Sequence, residues 1–342
     1  MKEALLYQKL DKNKVQCNLC AHRCVISPGK KGICKVRENN GGILYTKVYG
    51  QTIAQHVDPV EKKPLYHFYP GSKAYSVATP GCNFHCRFCQ NWDISQIIHC
   101  EISESGHEVT PEQITREAKQ TGCRSIAYTY TEPTIFFEYS YDTARLAHEA
   151  GLRNVYVTNG YMTTEMLIMI SPYLDAVNID LKAFSDETYR RIIGARLQPV
   201  LDSLKKIKQL GIWLEVTSLI IPGINDDPKE IRDMANFVAA ELGVNVPWHI
   251  SRFFPAYKMK DVPATPLKTL QAAKEIGLKA GLNYVYIGNT ANTGDMNTKC
   301  PRCNYVLIER LGFETIQNKI KDGHCTNCGT KIAGVGLYLI QS

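Results

Sequence analysis

No stretch of this sequence approaches the run of about 20 apolar residues that crosses a bilayer as a helix. The opening, Met1 to Lys14, is charged and lacks the apolar core of a secretion signal. These two absences argue against a membrane-spanning or exported chain and predict a cytoplasmic protein. A dominant charge sign is missing too: 40 Lys and Arg face 33 Asp and Glu, for a net charge of +7. That balance suits an anionic cofactor or substrate. It is too diffuse to mark a nucleic-acid surface.

Cysteine is what the chain has in quantity, 13 in 342 residues. Cys-x2-Cys groupings without a secretion signal point to metals rather than disulfides. The residues sort into Cys17, Cys20, Cys24 and Cys34, then Cys82, Cys86 and Cys89, then Cys300, Cys303, Cys325 and Cys328. Cys100 and Cys123 are left over as ordinary thiols, Cys123 expected between a helix and a strand.

The middle group is the most informative. Cys82, Cys86 and Cys89 place three thiolates on one short loop, and no fourth cysteine follows closely. Electron-transfer cubanes use four Cys ligands. Three ligands leave one iron open to bind and activate a small molecule. A zinc half-site is the plain alternative, but the spacing differs from a zinc knuckle.

Around this loop the chain alternates strand-like and helix-like segments. Strand candidates are Ala74–Ala78, Ser125–Tyr130, Asn154–Thr158, Ala176–Leu181, Trp213–Ile220, Trp248–Ser251 and Tyr284–Ile287, short and apolar as buried parallel strands should be. Thr110-Pro111 with Gln113, Pro199, Asp227-Pro228 and Thr265-Pro266 mark helix starts, while Gly122, Gly211, Gly243 and Gly281 mark ends. Active groups of (β/α) barrels project from the C-terminal strand ends. Here those ends carry the cysteine loop, Thr131-Glu132-Pro133, Thr158-Asn159-Gly160, Asp180-Leu181-Lys182, Pro222–Asp226 and His249. Each has a bland reading as a turn, a surface pair or a core histidine. Together they read as one site built from the whole rim.

At this point the chain resembles the radical S-adenosylmethionine (SAM) superfamily, in its pyruvate formate-lyase activating-enzyme-like branch. Within that branch it is most similar to the AmmeMemoRadiSam-system radical SAM enzymes, on the segments Pro59–Gly71 and Gly81–Ser95. The resemblance implies an α/β fold, a partial (β/α)6-type TIM-like barrel. It implies a [4Fe–4S] cluster on Cys82, Cys86 and Cys89 whose open iron is chelated by SAM. Reductive cleavage of SAM then yields a 5′-deoxyadenosyl radical that abstracts a substrate hydrogen. Phe88 would pack near adenine. Glu132 matches the acid of a Gly-Gly-Glu that contacts the SAM amine, although Tyr130 and Thr131 replace its glycines. Thr158 and Asn159 match a Thr-Asn-Gly, with Val157 where the activating enzymes carry an Asp. Asp180 and Lys182 match an Asp-Leu-Lys that contacts SAM, and His249 a histidine near the cofactor. A reductant such as flavodoxin or ferredoxin is implied, as are partners of the Memo-like and AMMECR-like families.

Two cysteine modules flank the barrel, giving an expected division at 1–72, 73–290 and 291–342. Cys300, Cys303, Cys325 and Cys328 form a zinc-ribbon or rubredoxin-like tetrad, suited to zinc before iron. This tail is expected to be structural and apart from the rim. Cys17, Cys20, Cys24 and Cys34 suit zinc or an auxiliary iron–sulfur cluster. The alternatives in function are a glycyl-radical-enzyme activase and, in another class, a zinc-dependent nucleic-acid-binding protein. The second leaves the triad and the rim unexplained.

Overall fold

The computed structural model describes residues 1–96, 107–291 and 294–338; Cys100 lies outside them. Its main sheet has eight strands in strict chain order: β1 (Ala54–Pro59), β2 (Lys73–Ala78), β3 (Ser125–Tyr128), β4 (Arg153–Thr158), β5 (Ala176–Asp180), β6 (Trp213–Ile220), β7 (Trp248–Arg252) and β8 (Val285–Gly288). From β2 to β8 every pairing is parallel, and β1 adds to the edge antiparallel to β2. Six β/α units and a closing strand therefore make an open barrel. The seven parallel strands fall on the segments expected from their apolar runs, within a residue or two at each end.

Parallel strands need a crossover, and six helices supply it: α1 (Pro111–Gln120), α2 (Phe137–Glu149), α3 (Thr164–Ile170), α4 (Leu197–Gln209), α5 (Pro228–Phe237) and α6 (Leu267–Lys279). Helix α1 starts in a full capping box, with Thr110 and Gln113 each bonded to the other's backbone. Asp227 caps α5 on the amides of Lys229 and Glu230. Thr265 does not cap α6 as its sequence suggests. Its hydroxyl donates to the Ile220 carbonyl and accepts from the Phe253 amide, so the helix begins without a side-chain cap. Helix α4 starts at Leu197, two residues before Pro199.

Both flanking segments are packed onto the barrel. Residues 54–59, which the sequence assigns to the N-terminal module, belong to the main sheet through β1. The module is tied to α2 by a buried ion pair, Arg37 to Glu138 at 2.9 Å. In the tail, the fully buried Arg310 donates to the carbonyls of Met296 and Tyr66. It faces Glu61 at 3.6 Å. His67 bridges the same boundary, bonded to the Ala333 carbonyl and the Tyr286 hydroxyl. Among the described residues no helix is long and apolar enough to cross a membrane.

Candidate active site at the strand ends

The cysteine loop leaves β2 at its C-terminal end and is held from below by an irregular helical turn. Residues Tyr189–Ile193 form a wide π turn closed by Gly194 in the left-handed region (φ 83°). The turn leaves two carbonyls free to serve the loop: His85 donates to Ile193 at 2.9 Å and Arg87 to Ile192 at 3.0 Å. Gly81 just before the loop has φ 101°, and a Cβ there would meet Val36 at 2.8 Å. Glycine is required at that position, because the N-terminal module presses directly on the loop.

Cys82, Cys86 and Cys89 open into a cavity of about 600 Å³ at the strand ends. Burial keeps the Cys82 thiol well above its ordinary pKa, reinforced by Glu132 and Cys86, and burial pushes Cys86 up to about 12. A bound metal centre would supply the positive charge that stabilises these thiolates, and binding it would release their protons. Among the described residues every other cysteine lies in one of the two tetrads except Cys123, which is buried and bonded to Thr121. The donor set therefore fits a cubane with one iron left open.

Opposite the loop runs a row set by strand register. Asp180 pairs with Thr217 and Thr217 with His249, so neighbouring strands point three polar side chains the same way. All three line the cavity. The Thr217 hydroxyl is buried and has no protein partner, so it is open to a bound molecule. The Asp180 carboxylate takes a 2.8 Å hydrogen bond from Lys182 Nζ. Burial works against the Lys182 charge, but Asp180 and Cys86 outweigh it and hold the ammonium above its usual pKa. The ammonium also sits 5.9 Å from the centre of the Phe88 ring. His249 Nε2 lies 2.7 Å from Glu215. That buried carboxylate also accepts from the amides of Tyr66 and His67 and from the Trp213 indole. Burial would raise its pKa, yet His249, the nearby His67 ring and the Trp213 indole hold it below the ordinary value.

Glu132 lines the cavity, but its carboxylate is already occupied. It accepts from the Thr134 amide and hydroxyl, the Thr158 hydroxyl and the Asn159 amide, at 2.6 to 3.0 Å. It thus ties the end of β3 to the end of β4. Asn159 in turn donates to Asn83 beside Cys82 at 2.7 Å, and Thr131 donates to the Thr79 carbonyl at 2.7 Å. The structure brings all eight rim residues read from the sequence, Phe88, Thr131, Glu132, Thr158, Asn159, Asp180, Lys182 and His249, to one cavity with the three cysteines.

Other lining residues carried weaker signals. Thr217 follows Glu215 by two on the same strand, so alternation alone puts it on that face. Lys63 and Tyr66 lie in the Pro59–Gly71 segment. Asn91, just past the loop, donates to the Tyr130 carbonyl at 2.7 Å. Phe313 gave no signal at all. It reaches the cavity from the turn of a tail hairpin, Val306–Leu311 and Glu314–Asn318. Phe313 thus brings the tail to the rim, and on the same hairpin Arg310 donates to the Tyr66 carbonyl at 2.8 Å.

In the tail the four thiols of Cys300, Cys303, Cys325 and Cys328 lie within 4.8 Å of one another, with Cys300 and Cys328 3.6 Å apart. This is the spacing of ligands on a single tetrahedral ion.

An open parallel barrel with three cluster cysteines and a polar rim defines an enzyme class, and comparison with known families agrees. Residues 76–238 match the model of the Radical SAM superfamily, and the chain belongs to that superfamily. It is 46% identical to an uncharacterized protein of Methanocaldococcus jannaschii, over 97% of this chain and 99% of that one. It is 24% identical to the pyruvate formate-lyase-activating enzyme of Clostridium pasteurianum, over 54% of this chain and 81% of that enzyme. The fold is similar to that of Streptococcus suis SuiB, solved with S-adenosylmethionine, at a TM-score of 0.50 and 12% identity. That match spans 67% of this chain and 53% of SuiB. The protein is a radical SAM enzyme; its family implies a [4Fe–4S] cluster and SAM, and such enzymes generally need an electron donor of the flavodoxin or ferredoxin kind.

Proposed function

We propose that this chain is a radical SAM enzyme of the AmmeMemoRadiSam-system group, taking a hydrogen atom from a substrate held at the mouth of its barrel. The observation that carries the reading is the sharing of one cavity by the three-cysteine loop and the Asp180–Thr217–His249 row. When bound, the cluster and SAM supply a carbon radical by one-electron cleavage of the cofactor. The chain's own residues hold and shield that chemistry. Cys82, Cys86 and Cys89 would ligate the cluster. Phe88 and Lys182 would wall the adenine side, while Asp180, Thr217 and His249 would meet the polar groups of SAM. Glu132, Thr131, Thr158 and Asn159 would keep the opposite rim in place, with Glu132 acting through the backbone it organises.

In the same reading residues 73–290, with β1 and the segment that follows it completing the sheet edge and the cavity, are the catalytic unit, and the tail carries zinc, which the four closely gathered thiols support. The protein works in the cytoplasm, takes electrons from flavodoxin or ferredoxin, and acts with Memo-like and AMMECR-like proteins, as the resemblance to that group implies. The test is anaerobic reconstitution with iron, sulfide, SAM and dithionite. The reduced EPR signal should change on adding SAM, and deuterium from a labelled substrate should appear in 5′-deoxyadenosine. An unchanged signal with no SAM cleavage would sink the proposal.

A further inference from the structure

We propose that Cys17, Cys20, Cys24 and Cys34 hold a second [4Fe–4S] cluster rather than a single zinc ion. The four side chains line one cavity in the N-terminal module, walled by Leu19, Ile26, His22 and Arg37. All four are free thiols. Their spacing separates the two kinds of metal centre.

A zinc ion bonded to four sulfurs at about 2.3 Å draws them to about 3.8 Å from one another. The tail tetrad has that compact arrangement, with its sulfurs all within 4.8 Å. Among the described residues it is the group of three or more such ligands so gathered, and no three of the N-terminal sulfurs are. A cubane spreads its thiolates outward, because each binds a different iron at a different corner. Among the described residues the Cys82, Cys86 and Cys89 sulfurs do not form such a compact group either. The N-terminal tetrad thus lacks the compact zinc-like arrangement, as the Cys82 loop does and the tail does not. The inference rests on the reading of the Cys82 loop only for this comparison.

Arg37 is the second, independent observation. It is 1% exposed, and two of its nitrogens are committed to Glu138 and the Leu5 carbonyl. Its Nε is buried without a partner beside the four cysteines. A buried N–H left unpaired is costly, and an anionic cluster offers it sulfur acceptors. The site also adjoins the active loop. His22, two residues from both Cys20 and Cys24, lies 2.8 Å from the carbonyl of Asn83, next to Cys82.

The experiment measures iron and acid-labile sulfide in the anaerobically reconstituted full chain and in a Cys82→Ala, Cys86→Ala, Cys89→Ala variant. Two clusters give about eight sulfides per chain in the parent and about four in the variant. The variant should also keep a reduced EPR signal that SAM leaves unchanged. About four sulfides in the parent and none in the variant, with zinc in the N-terminal site, overturns the proposal. About four in both supports the second cluster and refutes instead the assignment of the Cys82 loop. Because the triple variant could fold poorly, Mössbauer spectra of the iron-57 parent give a separate readout. Two cluster subspectra of equal area are expected, and a single cluster contradicts the inference.

Discussion

The Tyr130 hydroxyl donates a hydrogen bond to the Asp58 carboxylate, and this contact holds a bulky side chain on a left-handed stretch of backbone at the rim. Tyr130 has φ 64°, in the left-handed region, which costs a non-glycine residue about 1–2 kcal/mol. Asp58 also accepts from Lys62, Lys63 and Ser76, and the Lys63 ammonium lies 4.5 Å from the centre of the Tyr130 ring. The side chain is clamped from two sides, and its carbonyl is free to take the Asn91 amide behind the cysteine loop. Strain at the rim is therefore offset by an ion cluster at the edge of the sheet.

Removing only the hydroxyl tests the clamp. Tyr130→Phe keeps the ring and the strained backbone but deprives Asp58 of a donor. The expected loss is about 2 kcal/mol, in the range for hydrogen bonds to charged groups, read as a lower urea midpoint. An unchanged midpoint would show that the strain is held by something other than Asp58.

Asp180→Ala should weaken SAM binding about tenfold or more, or at least about 1.4 kcal/mol, with iron and sulfide content unchanged. Asp180 lies off the cysteine loop and acts through Lys182 and the row it shares with Thr217 and His249. Calorimetric titration of the reconstituted protein measures it. A variant that loses its cluster yet keeps its SAM affinity would put the cofactor elsewhere.

Cys325→Ser should release about one metal ion and open the tail to trypsin, since metal binding and folding are coupled in such small lobes. The iron–sulfur content of the Cys82 loop should persist. SAM affinity should nevertheless fall several-fold, because Arg310 pins the Tyr66 carbonyl and the Tyr66 ring packs edge-on to His249 at 4.6 Å. Affinity equal to that of the parent would make the tail an appendage with no hold on the site.

Acid should separate the tail from the barrel. Burial lowers the His67 pKa from 6.5 to about 4; Glu215 opposes the shift, and Arg310 and His249 reinforce it. Below pH 6.5 the unfolded chain binds a proton that the folded chain refuses. Stability is therefore complete above that pH and falls as pH drops toward 4, by about 3 kcal/mol in all from this group. His67→Gln should flatten that part of the curve, measured as melting temperature against pH. An equally steep curve in the variant would assign the acid sensitivity to other groups.

Much of the barrel was legible because its signals are short-range. Runs of Val, Ile and Tyr mark strands β2 to β8, and the Thr110-Pro111 box marks the start of α1. Strand β1 escaped notice because Ala54–Pro59 is mixed in polarity and pairs only at the edge. The start of α6 was misplaced because the Thr265 hydroxyl serves Ile220 and Phe253, 45 and 12 residues away, instead of the local helix end. Glu132 was read as a ligand contact, but the number of its buried partners became visible only with the ends of β3 and β4 side by side.

The sequence by itself determined the chemistry that neighbouring residues can encode. Three thiolates fit on one loop because Cys82, Cys86 and Cys89 are a few bonds apart, and the paired C-x2-C knuckles bring the tail ligands together in the same way. What only the tertiary structure decided depends on contacts between distant residues. Strand register chose Thr217 to stand between Asp180 and His249. Packing of Arg310 against Tyr66 brought Phe313 to the cavity. Both tetrads begin with C-x2-C, yet among the described residues only the tail's four sulfurs are gathered within 4.8 Å. Spacing along a chain limits which atoms can meet; the distance at which they come to rest is fixed by everything packed around them.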